Sequence, residues 1–312
     1  MEIIKPGTRW DFTGNMRKAL YVSLGLIAIM LISIIAQKGL NWGIEFVGGT
    51  EIHVKFSKGV KTADIRRALV GSGFPSESVQ QLGLSKDNEF LLRFSSDEVG
   101  FEQLEDFQIE VNKLLETNEL FRGAAIQSID YIGPKVGREL IRKAILSIVL
   151  GWVGIMLYLM MRFQMGFAFG AVIAIIHDVV ITLGAISLAE KEFTLSLVAA
   201  LLTVIGYSVN DTIVIFDRIR ENIKRGGYDS FTDLVNTSIN QTLSRTIWTV
   251  VTILLVLFPL FWFGGSVIHD FAFTLIIGVI AGTYSSIFIA SSFVLYWKGR
   301  GRAHAAASIE PK

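Results

Sequence analysis

Two carboxylates stand inside stretches that are otherwise apolar. Asp178, next to His177, is the sixteenth residue of the run Phe163–Ala189, and Asp211, next to Asn210, is the nineteenth of Phe193–Phe216. Burying an ionisable group in such a run is costly, so it marks either a helix contact or a path for an ion. With Ala174, Thr182, Ala185 and Ala189, Asp178 makes a stripe of small and polar residues at helical spacing, a face for another helix. Two roles fit His177 and Asp178 equally at this point: bonding a neighbouring helix to hold a bundle, or taking part in transport. Asp211 has richer company. Thr203, Gly206, Tyr207, Asn210, Asp211, Val214, Asp217 and Arg218 fall within roughly 140° of arc on one helix, a face that must abut protein or water. Asp211 lies six residues, about 9 Å of rise, from Asp217, and Arg245 at the mouth of the next apolar run can reach toward it. A nearby arginine favours the charged carboxylate and desolvation the neutral one. A group held between the two changes protonation when one helix moves, which a proton relay requires. A purely structural Asp–Arg pair is the alternative.

Other chemistries drop out early. The 312 residues contain no cysteine, which removes disulfides, thiol nucleophiles and thiolate metal sites. The four histidines, His53, His177, His269 and His304, are too scattered for a metal cluster. No G-x-x-x-x-G-K-[ST] stretch exists to cradle a nucleotide, and a net charge of +1 gives no footprint for nucleic acid. The sequence argues for no enzyme, no cofactor and no metal.

The elements that position these residues are apolar helices. Hydrophobic residues make up 51% of the chain and charged residues 18%, where a soluble protein carries about a quarter charged. Six runs are long enough to span a bilayer: 19–36, 144–161, 163–189, 193–216, 246–263 and 271–297. The first has 18 residues without a charge and ends Ile34-Ile35-Ala36, which fits an uncleaved anchor rather than a signal peptide. Basic residues crowd the tail 1–18, the loop 217–245 and the tail 298–312, with Arg162 between the second and third runs. The short loops on the other side hold Lys191 alone, so both termini are expected to be cytoplasmic and 37–143 to be exported.

The exported segment is long enough to fold by itself. Thr50–Phe56 alternates as a half-buried strand, and Thr62–Val70 reads as a helix with Thr62 as its N-cap. Ser78–Leu84 and Glu89–Phe94 read as strands about the turn Ser85-Lys86-Asp87-Asn88, Phe101–Leu115 as a helix, and Ala124–Ile132 as a last strand. That order predicts a ferredoxin-like α+β domain between the first two membrane helices. Gly48 and Gly49 mark a tight turn or bulge at a strand start. In the loop 217–245, Phe231, Leu234, Val235, Ile239 and Leu243 recur at helical steps. The spacing suits a helix lying on the membrane surface or one packed on protein.

Four stretches carry a family resemblance. Tyr207-Ser208-Val209-Asn210-Asp211-Thr212-Ile213-Val214-Ile215-Phe216-Asp217-Arg218-Ile219-Arg220-Glu221-Asn222 resembles the fourth-helix signature of the SecF family of bacterial protein-export subunits. Gly43-Ile44-Glu45-Phe46-Val47-Gly48-Gly49-Thr50 resembles the motif after that family's first helix, with Glu45 where Asp is usual. Ile132-Gly133-Pro134-Lys135-Val136-Gly137-Arg138-Glu139-Leu140 and Ser238-Ile239-Asn240-Gln241-Thr242-Leu243-Ser244-Arg245-Thr246 resemble the motifs before the second helix and entering the fifth. The resemblance implies a six-helix half of a resistance-nodulation-division type transporter in the bacterial inner membrane. Its other half would be SecD, and it would use the proton gradient to assist late steps of polypeptide export through SecYEG after the SecA motor. YajC and YidC are further implied associates, with the unfolded client chain and membrane lipid. Asp211 and Arg245 match the positions to which the family's proton pathway is assigned. Two other classes compete with this reading: a half-size exporter of small molecules or ions, and an assembly factor whose polar stripe only docks a partner.

Overall fold

The computed structural model describes residues 9–71, 78–82, 88–95, 109, 113–114 and 118–298. Six of its helices are long and apolar enough to cross a membrane. They are α1 (Phe12–Ala36), α4 (Pro134–Arg162), α5 (Met165–Leu188), α6 (Leu195–Arg225), α7 (Phe231–Phe263) and α8 (Ser266–Ser285), the last continued through a π-helical turn at Ser286–Ala290. Each begins or ends where local chemistry dictates. The Asp11 carboxylate accepts from Gly14 N at 2.8 Å, Pro134 starts α4 without losing a hydrogen bond, and Ser230 Oγ accepts from Asp233 N at 3.0 Å. The helix α6 stops at Gly226, whose φ of 70° suits a residue without a Cβ.

Several helices outrun the apolar stretches. α6 continues to Arg225, and the amphipathic segment beginning at Phe231 is the first half of α7, unbroken to Phe263. Leu234, Val235, Ile239 and Leu243 are buried in the same core cluster as Phe216 and Ile219 of α6. The protein-packed alternative for this segment therefore holds, and the membrane-surface one does not. Apolar counting missed the continuity because Asn236, Ser238, Asn240 and Gln241 dilute the hydrophobicity without breaking a helix. These polar residues have structural partners. Asn236 and Asn240 accept from the Phe12 and Trp10 amides, each at 2.9 Å, and Asn222 donates to Ser238 Oγ at 2.8 Å and Gln241 Oε1 at 2.9 Å.

Bundle packing rests on small residues. The Ala174, Asp178, Thr182 and Ala185 stripe of α5 is buried. A Cβ added to Gly278 of α8 would lie 2.1 Å from Val204 Cγ2 of α6, so these two helices touch where no side chain fits between them. Gly278→Ala is expected to force α6 and α8 apart at a cost of about 1–3 kcal/mol, read as a lower midpoint of thermal unfolding in detergent. An unchanged midpoint would show that the pair can separate freely.

Between α1 and α4 lies a four-stranded sheet of β2 (Gly49–Lys55), β3 (Ser78–Leu82), β4 (Glu89–Ser95) and β5 (Ala125–Ile132), in the order β3-β4-β2-β5 with every neighbour antiparallel. Helix α3 (Thr62–Gly71) crosses from β2 to β3, leaving room for β4 between them. The four strands and the first helix stand in the expected order along the chain. Most of the second helix expected at Phe101–Leu115, and residues 85–87 of the expected turn, lie outside the described residues. Ile52, Val54, Ile65, Leu69, Phe90, Leu92 and Phe121 form the domain's own core. The short strand β1 (Asn41–Trp42) and helix α2 (Ile44–Val47) precede the sheet, and β1 pairs in parallel with β6 (Glu192–Phe193), just ahead of α6.

Candidate functional site

The fourth membrane helix, α6, presents polar residues on two faces rather than one. Asp211, only 3% exposed, turns into the bundle together with Ser208 and Thr212. Thr203, Gly206 and Asn210 lie on the exposed side of α6, with nothing among the described residues within 4 Å of a Cβ built on Gly206. Tyr207, Val214, Asp217 and Arg218 sit between, half-buried. The single polar arc expected from the sequence is thus split by the helices packed on its edge.

Asp211 Oδ2 is buried without a hydrogen-bond partner among the described residues. The Tyr207 phenol, one turn earlier on the same face, approaches both Asp211 and Thr283 of α8. Arg245, on the exposed side of α7, acts on Asp211 through space but makes no ion-pair contact with it among the described residues. The reach of Arg245 toward Asp211 thus stops short of an ion pair among the described residues. The arginine is a neighbouring charge, and the carboxylate keeps a free lone pair in the apolar interior. Asp217 belongs elsewhere. At the end of the bundle where α1 begins it pairs with Arg162 at 3.4 Å and Arg220 at 3.8 Å, in partly exposed bridges worth little to stability.

A second centre lies deeper in the bundle. Asp178 of α5 is 1% exposed and His177 5%. His177 Nδ1 lies 2.9 Å from Asp178 Oδ1. Ser208 Oγ of α6 donates to Asp178 Oδ2 at 2.5 Å, and Ser285 Oγ of α8 donates to the same oxygen at 2.7 Å. The sequence reading missed both serines. Ser208 is three residues before Asp211, a spacing that places it on an adjoining face, and Ser285 carried no pattern of its own inside its apolar run.

A third set of contacts joins the α+β domain to the membrane helices, and the motif 43–50 makes much of it. Gly43 N donates to Phe193 O at 3.0 Å, and the Glu45 carboxylate accepts from the Leu195 amide, the first residue of α6. A carboxylate there satisfies an orphan amide and meets the positive end of the helix dipole. Phe46 is buried against Phe193 at 5.9 Å and Trp42 at 5.6 Å. Gly48, at a φ of 85°, ends α2, Gly49 opens β2, and Thr50 is buried behind it. A Cβ on Gly137 of α4 would stand 2.6 Å from Phe46 O, so that motif glycine lets α4 pass. Arg93 of β4 pairs with Glu51 of β2 at 2.5 Å and also with Glu192 of β6. These residues line a cavity of about 330 Å³ between the domain and the start of α6. Arg93 and Glu192 were not foreseen, because nothing local in the sequence pairs residues so far apart.

Residues 112–300 match the family described as protein export membrane protein SecD/SecF, C-terminal, and residues 33–60 match the SecD/SecF GG motif. The protein translocase subunit SecF of Magnetococcus marinus is 43% identical over 307 residues, covering 98% of both chains. That of Calditerrivibrio nitroreducens is 41% identical, covering 94% of this chain and 96% of its own. The crystal structure of SecDF from Thermus thermophilus, described as a translocon-associated membrane protein, superposes with a TM-score of 0.84 at 37% identity, covering 96% of this chain and 40% of that one.

Proposed function

The chain belongs to the SecD/SecF family of protein-export membrane proteins, and from that premise we propose that it is a proton-gradient-driven accessory subunit of a protein-export translocase. One observation carries the gradient-driven part. Asp211 is a buried carboxylate with an oxygen unpartnered among the described residues, beside a polar helix face that those residues leave open. Lipid tails cannot satisfy such a face, so a partner subunit covers it. The SecDF of Thermus thermophilus spans more than twice this chain in one polypeptide, and the occupant we assign is the corresponding SecD-type subunit. In this reading the protein spans the bacterial inner membrane with both termini in the cytoplasm. The α+β domain faces the exported side and handles the emerging polypeptide. SecYEG, SecA, YajC and YidC are the associates with which it works.

Inverted vesicles containing this chain and its partner subunit should export a precursor protein faster when a proton gradient is imposed, and vesicles lacking this chain should not. Equal rates with and without the gradient would leave only the assembly-factor reading, and gradient-driven efflux of a small solute without any effect on the precursor would favour the exporter reading. The docking face has its own test. The native chain lacks cysteine, so single cysteines report cleanly. Cysteines at Asn210 and Val214 should cross-link to the partner's equivalent helix, whereas one at the buried Ser208 should not. The reverse pattern would refute this orientation of α6.

A further inference from the structure

The His177–Asp178 pair is used by none of the steps assigned to Asp211, although three membrane helices converge on it. Asp178 draws a bond from its neighbour His177 on α5, from Ser208 on α6 and from Ser285 on α8. Its own backbone carbonyl accepts from Thr182 Oγ1 at 2.7 Å. The His177 ring stacks on Tyr284 of α8, with centroids 6.0 Å apart, and the Tyr284 phenol donates to Ala19 O of α1 at 2.6 Å while accepting from Ser23 Oγ at 2.9 Å. Among the described residues these are the polar groups around the pair from α1, α5, α6 and α8, and His177 is the ion-pair partner of Asp178. The π-helical turn begins at the residue after Ser285, where the hydrogen-bond ladder of the sixth span is locally reset.

A second observation distinguishes this cluster from a hydrogen-bonded staple. His177 Nε2 is buried and has no hydrogen-bond partner among the described residues. With Nδ1–H turned toward Asp178, the neutral ring presents at Nε2 a lone pair and nothing to receive it. A staple needs no such free acceptor in an apolar interior, where an unmet polar atom costs free energy.

We propose that His177 and Asp178 form a second proton-binding site of the membrane domain, separate from Asp211 and linked to the helix that carries it through Ser208. A proton arriving at Nε2 converts imidazole and carboxylate into imidazolium and carboxylate. The Nδ1 proton can then pass to Asp178 Oδ1, which leaves a neutral ring protonated at Nε2 beside a carboxylic acid. No other bond changes, and release reverses the order. The two groups titrate as one unit. The acid proton on Oδ1 then donates to the ring's Nδ1, while Oδ2 becomes the carbonyl oxygen of a neutral acid and accepts more weakly from Ser208 on α6 and Ser285 on α8. Ser208 is three residues from Asp211, so the two proton sites share one rigid helix. This inference rests on the gradient-driven reading above.

The test uses the complete complex with its partner subunit in vesicles. Asp178→Asn keeps the shape and both serine bonds but cannot exchange a proton. It should assemble normally, lose gradient-stimulated export and lose a titrating carboxylic-acid band from the infrared difference spectrum. That band should persist in Asp211→Asn, and His177→Gln should move its midpoint. Should Asp178→Asn fail to assemble, the infrared titration of the unmodified and His177→Gln complexes decides: a band that moves with His177 supports the site, and one that does not overturns it. Full gradient stimulation by an assembled Asp178→Asn, with an unchanged pH profile, would also overturn it. Stimulation lost in Asp178→Asn but retained in Asp211→Asn would instead refute the role of Asp211 and leave this site standing.

Discussion

Replacing Asp211 by asparagine is expected to abolish the gradient-dependent part of polypeptide export while leaving the chain folded and bound to its partner. Asparagine matches aspartate in shape and cannot bind a proton. The packing around residue 211 is preserved by the substitution, because Asp211 Oδ2 has no hydrogen bond to lose among the described residues. The energy at stake is adequate to the task. A proton crossing 100 mV releases about 2.3 kcal/mol, and each unit of pH difference adds about 1.4. That is enough to bias a two-state motion whose states differ by a few kcal/mol.

Arg245 refines the expectation. Its charge acts on Asp211 without an ion-pair contact, so charge matters more than the planar fork that a bidentate pair would require. Arg245→Met should therefore abolish gradient stimulation as Asp211→Asn does, and Arg245→Lys should retain a substantial part of it. The measurement is precursor export into inverted vesicles with and without an imposed gradient, alongside recovery of the complex. Full stimulation by Asp211→Asn would remove that residue from the proton path. An Arg245→Lys variant as inactive as Arg245→Met would show that the fork is used after all, in a state where the two groups meet.

The membrane architecture was legible because a bilayer imposes a long, one-dimensional signal. Runs such as Ala19–Ala36 can do little else, and each of the six runs lies within or largely within a long helix. The strands of the small domain were legible for a related reason. Thr50–Phe56 alternates because one face of β2 covers the core of Ile52 and Val54 while the other does not. Asp178 and Asp211 stood out as charges out of place. Their partners did not, because serine is ordinary in a membrane helix and its meaning comes only from the helix opposite. Ser208 and Ser285 become a site when α5, α6 and α8 meet. Arg93 and Glu192 become a joint when a sheet lands on the start of α6. The fate of Phe231–Leu243 shows the converse: its period was read correctly, but a period cannot say whether lipid or protein covers the apolar face.

That joint leads to the other large effect. Arg93→Met is expected to undock the α+β domain from the start of α6 without unfolding either part. Among the described residues one guanidinium serves two carboxylates, Glu51 from the domain's own sheet and Glu192 from the strand before α6. All three side chains are mostly buried, and removing one member of a buried pair costs about 3–5 kcal/mol because the charge left behind is unpaired. Solvent reaching this cavity reduces that figure, but two facing carboxylates still repel each other. The domain's core of Phe90, Leu92 and Ile52 does not depend on the arginine, so the sheet itself should survive. The loss should appear as faster hydrogen exchange at the Gly43 amide, which donates to Phe193 O, and at Leu195, whose amide is held by Glu45. Gradient-driven export should fall with it, because β6 and the Glu45 cap are what connect the domain to the helix bearing Asp211. Adding Glu51→Gln and Glu192→Gln to Arg93→Met removes the stranded charges and should restore much of the docking, since replacing a buried ion cluster by neutral groups is far less costly than breaking it. Unchanged exchange at Gly43 and Leu195 in Arg93→Met would show that the aromatic contacts of Trp42, Phe46 and Phe193 hold the domain in place without the ion cluster.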